Sequence, residues 1–301
     1  IHSSAVTSMY IGKGIIRSAD LNPTLITTDD VIGADNQLKY SYGTIHPESV
    51  CEVDGNVFFW DGRRNEPVRY AQNGLTPLAT KYGTRVLFQD TIPSLFGSPD
   101  TYSCITEYDR LLNMVYWTFL KGSTKYTIGF HESSNSWIGT YSFAPELYGS
   151  VGDHLIGFVN GMPWLHNDNS AHQTFYGVLY ASKLKVDVNI GEALEKAWDG
   201  LYIDSNVKWD VPMIYNEDGQ STNLIDDDFI LKDNLQYADF LRDINTPVAK
   251  LKPGQIALRH GNPLSSHTLT LELEYTGDTP HYIRSMGVAA TYKSGHLLKQ
   301  Q

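Results

Sequence analysis

Along this chain, short runs in which apolar or aromatic residues alternate with polar ones are separated by clusters of Gly, Asn, Asp and Pro, and almost nothing repeats at helical spacing. NVFFW and PVRYA flank DGRRNE, and LLNMVYWTFL and KYTIGF flank KGST; SWIGTYSF, HLIGFVNG, MPWLHN, TFYGVLYA and KLKVDVN follow. This spacing predicts consecutive antiparallel hairpins. Repeated four-stranded units of that kind predict a propeller-like array, whose blades run roughly 40 to 50 residues each, with a β-sandwich as the alternative. Within DGRRNE, Asp61 and Gly62 favour a turn, and Pro67 opens the returning strand where a missing N–H is tolerated. Arg63 and Arg64 then fall at an exposed tip, as candidates for contact with a neighbouring molecule. Arg69 lies in the returning strand and is predicted to pair with an acidic residue on an adjacent strand.

The run YTIGFHESSNSWIGTYSFAP resembles one unit of the kelch repeat: an acidic turn leads to Trp137 on the outer strands of a blade, and VNGMPWLHN follows as the inner strand of the next. Near Ile190 the texture changes to longer strands with stronger alternation. HTLTLELEY predicts a half-buried strand with Leu269, Leu271 and Leu273 on one face and Thr270, Glu272 and Glu274 on the other. GDTP, Gly277 to Pro280, then reads as the turn of a terminal hairpin. IGEALEKAW, Ile190 to Trp198, is the clearest helix candidate. The expected organisation is all-β: a propeller-like β domain over residues 1–190 and a C-terminal antiparallel sheet or sandwich region over 191–301. The chain opens at Ile1 rather than Met, which predicts processing or a portion of a longer polypeptide.

Composition narrows the function classes. Aromatic residues make up 12% of the chain, with 25 Gly and 13 Pro, as many short strands require. The formal charge of -11 argues against a surface that wraps nucleic acid, because such binding draws its strength from Lys and Arg releasing counterions. Only Cys51 and Cys104 are present, without a CxxC pattern, and they read as buried free thiols. No apolar run is long enough to predict a membrane span.

Four groups of residues invite a chemical reading. HNDNSAH brings His166, Asp168 and His172 close in sequence, but not at the spacing that makes three or four ligands converge on zinc, and a polar loop is the simpler reading. Glu217, Asp218, Asp226, Asp227 and Asp228 fail the EF-hand pattern and read as a solvated hairpin turn. Glu132, Asp153 and Asp109 are the carboxylates a glycosidase would need as an opposed pair, yet each sits where a turn calls for Asp or Glu regardless of function. Trp60, Trp117, Trp137 and Trp164 could stack on sugars but fit better as packing residues within strands. No catalytic, cofactor or metal residue is therefore assigned.

The order of the runs matters beyond any one of them. TSMYIGKG, TTDDVIG, YGTIHPESV, GNVFFWDGRRNEPVRYAQNGL, FHESSNSWIGTYSFAP and FVNGMPWLHN together resemble the muzzle, or stabilisation, proteins of crAss-like short-tailed phages, over roughly Thr7 to Lys293. YGTIHPESV and VFFWDGRRNEPVRY are the most specific pieces. The resemblance implies a propeller-bearing virion tail component without enzymatic residues. It further implies a homo-oligomeric ring around the DNA channel, flanked by other tail and portal-proximal proteins, retaining double-stranded DNA without specific binding and letting it leave. A propeller module for glycan or protein, and a glycoside hydrolase, are the alternatives.

Overall fold

The computed structural model describes residues 1–11, 15–17, 23–25, 32–38, 41–168, 170–191, 194–233 and 235–292. TTDDVIG falls largely outside them, as do Glu192 and Ala193 of the helix candidate. The fold is all-β, built from several antiparallel sheets, and no closed propeller forms among the described residues. The chain divides into two compact units, Ile1–Asp168 and Asn169–Gln301. The division precedes the expected break near residue 190 because Ser182–Val188 is a strand of the second unit, paired along its length with Leu269–Tyr275.

Three meanders follow one another in the first unit. The first runs Cys51–Val53, Asn56–Asp61, Glu66–Ala71 and Gly74–Pro77; the second, Ser103–Asp109, Met114–Lys121, Thr124–His131 and Ser136–Tyr141; the third, Leu147–Val151, His154–Val159 and Met162–Leu165. Two-residue connections with positive φ, Asp54-Gly55 and Asn160-Gly161, join strands whose right-handed twist favours that turn geometry. The third meander begins at Leu147–Val151, so MPWL is its last strand rather than the inner strand expected from the kelch comparison.

Each face of the first two meanders packs on a different neighbour. Phe58 and Trp60 of the first meander share one core with Val115, Trp117, Phe119, Ile128 and Phe130 of the second. The Trp60 indole meets Phe119 edge-on at 4.9 Å and donates its N–H to Tyr102 Oη at 3.0 Å, so its one polar atom is satisfied inside the core. The opposite face of the second meander packs on the third, where Tyr148 Oη hydrogen-bonds Thr118 Oγ1 at 2.6 Å, and on the connecting segment, where Tyr116 meets Phe143 edge-on. Phe59 and Val68, on the far face of the first meander with Leu75, are covered by Val6, Leu38 and Tyr42.

Between the first two meanders the chain makes short helical turns, Leu78–Lys81, Leu87–Thr91 and Ile92–Phe96, which the alternation pattern did not predict. Leu78, Phe88, Ile92 and Phe96 are buried in the shared core, and Gly97, at φ 78°, ends the last turn in a conformation glycine adopts freely.

The second unit has a short hairpin, Thr174–Phe175 with Val178–Leu179, and a pair of sheets around a common core, one ordered Ser182–Val188, Leu269–Tyr275, Asp210–Tyr215, Ser221–Leu224, the other Ile230–Lys232, Leu235–Asp239, Lys196–Ser205, with Ser265–Ser266 and Ile283–Tyr292 both along Lys196–Ser205. Leu269, Leu271 and Leu273 lie at 0 to 1% exposure against Leu201, Ile203 and Trp198 of the other sheet, as their alternation predicts. Two expectations change here. GDTP does not close a hairpin: Leu269–Tyr275 and Ile283–Tyr292 belong to different sheets, and the turn carries the chain across the core. Among its described residues IGEALEKAW forms no helix, since Lys196, Ala197 and Trp198 open a ten-residue strand that buries Lys196 and Trp198. Long-range pairing overrides local helix propensity there.

Candidate functional site

Arg63 and Arg64, singled out from sequence, lie in the turn that follows Asp61. Asp61 pairs with Glu66 across a loop of Gly62, Arg63, Arg64 and Asn65. The Asp61 carboxylate is 2% exposed; Oδ1 accepts the backbone N–H groups of Arg63 and Arg64 at 3.1 Å each, and Oδ2 accepts that of Gly43 at 3.1 Å. Burial pushes its carboxyl above the ordinary carboxylate range, and the N–H donors and the Arg64 guanidinium pull the other way. One acidic side chain thus fastens the YGTIHPESV segment to the tip of the hairpin.

That segment locks in at two further points. Ser49 Oγ accepts the Trp60 N–H at 3.1 Å and donates to His46 O at 2.7 Å. The His46 ring stacks on Tyr102 at 5.1 Å and lies against Gly62, where a β-carbon would stand 2.8 Å from Pro99 Cβ and 3.0 Å from His46 Nε2. Burial lowers the His46 pKa, keeping the imidazole neutral in its apolar slot. The two most specific sequence pieces are therefore two halves of one packed latch.

Arg63 and Arg64, equivalent in sequence, separate here. Arg64 donates from Nε to Ser41 O at 3.0 Å, lies 5.0 Å from the Tyr42 ring and 3.7 Å from Asp61 Oδ2. It is a strut within the chain. Arg63 is exposed and has no side-chain partner among the described residues, so it remains the contact candidate. Arg69 does find an acidic residue, Glu132 at 3.8 Å, and also donates to Asn135 Oδ1 at 3.1 Å. Both partners lie in a turn of the second meander, not on an adjacent strand. Asn56 Nδ2 donates to the same Glu132 at 3.0 Å and Tyr82 Oη to the same Asn135 at 2.9 Å, so this cluster ties two meanders together at their turn ends.

The Asp61 turn recurs, a relation the sequence comparison missed. Asp109 Oδ1 accepts the N–H groups of Leu111 and Leu112, and His131 Nδ1 accepts that of Ser134, each in a four-residue loop of the same length. Asn65, Asn113 and Asn135 occupy the fourth loop position with φ of 49°, 53° and 50°, the left-handed region that Asn tolerates better than most residues. The readable signal was an Asp or His, then Asn four residues later, between alternating runs: DGRRN, DRLLN, HESSN.

The remaining candidates are dispersed. Asp109 is 1% exposed, accepts two turn N–H groups and the Asn167 amide, and burial raises its pKa; Glu132 serves Asn56 and Arg69; Asp153 is exposed in a turn. His166 is buried edge-on against Phe143, and burial lowers its pKa to about 4. The His172 backbone N–H donates to Asp278 O. No group of three or more His, Cys, Asp or Glu side chains that could hold a metal occurs among the described residues. In the acidic segment, Glu217 accepts the N–H groups of His267 and Thr268 and the Thr268 hydroxyl, Asp228 caps Ile225, and Asp226 meets Lys208 at 2.8 Å. Trp60 and Trp117 are fully buried, Trp137 packs against the same core, and Trp164 is 39% exposed. Cys51 and Cys104 are free and buried. Among the described residues, no helix is long and apolar enough to cross a membrane.

No protein-family model matches the chain, and comparison with curated proteins yields no match.

Proposed function

We propose that the chain is a non-enzymatic structural component of a short phage tail, of the muzzle kind, working as a homo-oligomeric ring that retains the packaged genome and lets it leave. The carrying observation is the latch: YGTIHPESV and VFFWDGRRNEPVRY, the pieces behind the resemblance, fold into one interlocked unit around Asp61. Residue types that hold a scaffold together, rather than line a cleft, are what a structural family would share. Arg63, exposed at the tip, is the side chain assigned to contact with neighbouring tail proteins. A net charge of -11 supports the reading physically, since a wall that does not attract phosphates lets DNA slide past.

The test is incorporation. Mass spectrometry and immunogold microscopy of purified virions from a phage carrying this gene should place the protein at the tail, and particles lacking it should lose packaged DNA. Virions that contain none of it, and that retain their genomes without it, would remove the reading. For the glycan-binding alternative, the buried indoles of Trp60 and Trp117 leave no stacking face at those positions.

A further inference from the structure

In the second unit, the sheet that holds Lys196–Ser205 turns Leu201 and Ile203 into the core and leaves its other face in solvent. Pairing across four strands sets Ile230, Tyr237, Tyr202 and Gly287 in one row on that solvent face. The two tyrosine rings stand 6.0 Å apart, tilted by 41°, and are 38% and 39% exposed. Gly287 sets the pose of Tyr202: a β-carbon there would run into the ring, which leans across the neighbouring strand into the space a side chain would fill. On one side of this row lie Asp239, Gly200 and Ala289, and on the other Asp204 and Ser285. The tyrosine pair thus rises from a floor of small residues with a carboxylate at each end, two residues or roughly 7 Å along the strand. Arg284 holds Asp204 at 3.2 Å. Asp239 is exposed, and no side chain among the described residues claims it.

We propose that this face binds a neutral glycan, its sugar rings stacked on Tyr202 and Tyr237 and its hydroxyls donating to Asp239 and Asp204. The C–H bonds on one face of a pyranose carry slight positive charge and settle on the electron-rich face of an aromatic ring, which also takes their apolar area out of water. Carboxylates beside the rings supply the acceptors that sugar hydroxyls need, in bonds stronger than neutral ones. The same carboxylates choose among occupants. Nucleic-acid bases and acidic polymers could stack on tyrosine, but they bring anions against Asp239 and Asp204 in a chain of net charge -11. A protein partner needs pockets for its anchoring side chains, and Gly200, Gly287, Ser285 and Ala289 offer a level floor instead. The inference stands apart from the tail reading, since incorporation into virions and glycan binding can each hold without the other.

Affinity electrophoresis tests it, with the whole chain run in native gels cast with dextran, mannan, galactan or soluble starch, and in gels cast with alginate or DNA. The expected result is retardation in at least one neutral gel and in neither anionic gel. Tyr202→Ala and Tyr237→Ala should each weaken that binding about tenfold, and Tyr237→Phe, which keeps the ring, should retain it. Gly287→Val leaves both tyrosines in the chain but displaces the Tyr202 ring, and should weaken binding as Tyr202→Ala does. Near-ultraviolet circular dichroism checks that the variants fold, and Trp164→Ala, at a 39% exposed position of the first unit, is the control for exposed aromatics in general. Retardation in none of the neutral gels overturns the proposal. So does retardation that survives both alanine variants, that Trp164→Ala abolishes, or that appears only with alginate or DNA.

Discussion

Replacing Asp61 by Ala removes the acceptor of three backbone N–H groups at once. The Gly43 donor lies in a buried bond, and losing its partner costs about 1 to 3 kcal/mol, the desolvation cost of an orphaned polar group. The Arg63 and Arg64 donors sit at an exposed tip where water replaces the carboxylate, which adds roughly 1 kcal/mol for the loosened turn. The 3.7 Å contact to the half-exposed Arg64 guanidinium adds at most about 1 kcal/mol. Relief from burying a carboxylate offsets part of this. The net expectation is a loss of about 2 to 4 kcal/mol from the first unit, read as a lower urea midpoint with tryptophan fluorescence as the probe, because Trp60 and Trp117 are fully buried there. Asp61→Asn should fall between wild type and Ala: its carbonyl can still serve the turn, but its NH₂ then faces the Gly43 donor or the two turn donors. Arg63→Ala, with no side-chain partner among the described residues, should stay within about 0.5 kcal/mol of wild type. An Asp61→Ala protein as stable as wild type would refute the latch.

Gly43→Ala should be among the most damaging single changes in the first unit, because the added β-carbon would stand 2.3 Å from the His2 carbonyl oxygen and 2.5 Å from the Ser4 nitrogen, both backbone; a thermal midpoint equal to wild type would count against this packing. Leu271→Ala, at 0% exposure between the two sheets of the second unit, should cost about 2 to 5 kcal/mol in urea unfolding, and a loss below about 1 kcal/mol would mean that the sheets do not share that core. For pH, burial raises the carboxyl groups of Asp61, Glu66 and Asp109 above their unfolded values, so the native first unit holds more protons and its stability falls as pH rises from those values through the folded ones. Asp109→Asn should flatten that slope, and an unchanged urea midpoint profile would contradict the assignment. Glu217 acts in reverse: burial alone would raise its pKa, but the Thr268 hydroxyl and the backbone donors outweigh it and bring the value to about 2, so its contribution is present above the unfolded value and lost as pH falls toward 2.

Alternation made individual strands legible, and with them the buried face of HTLTLELEY, because side chains on a strand must point to opposite sides in turn. What alternation does not encode is the neighbour. The partners of Leu269–Tyr275 are Ser182–Val188 and Asp210–Tyr215, so the local hairpin at GDTP was the wrong geometry for the right strands. The same limit misplaced the Arg69 partner: the charge was readable, but the Glu132 position in another meander was not. Lys196 shows propensity losing to context, a good helix former held at 0% exposure in a strand beside Trp198. Arg63 and Arg64 could not be separated by any local rule, because Ser41 and Tyr42, which claim one and not the other, arrive from a distant segment of the chain.

The crossing at GDTP bears on the order in which the chain can fold. Each strand of the three meanders finds its partner in the adjacent run of sequence, so the first unit can form as it is synthesised. In the second unit, Ser182–Val188 waits for Leu269–Tyr275, and Lys196–Ser205 waits for Ile283–Tyr292, nearly the last residues described. Until then the sheet that holds Val211 and Ile214 lacks Leu269–Tyr275, the strand that joins its two halves. Contacts so distant in sequence close slowly, which makes the half-made second unit the aggregation-exposed stage of folding.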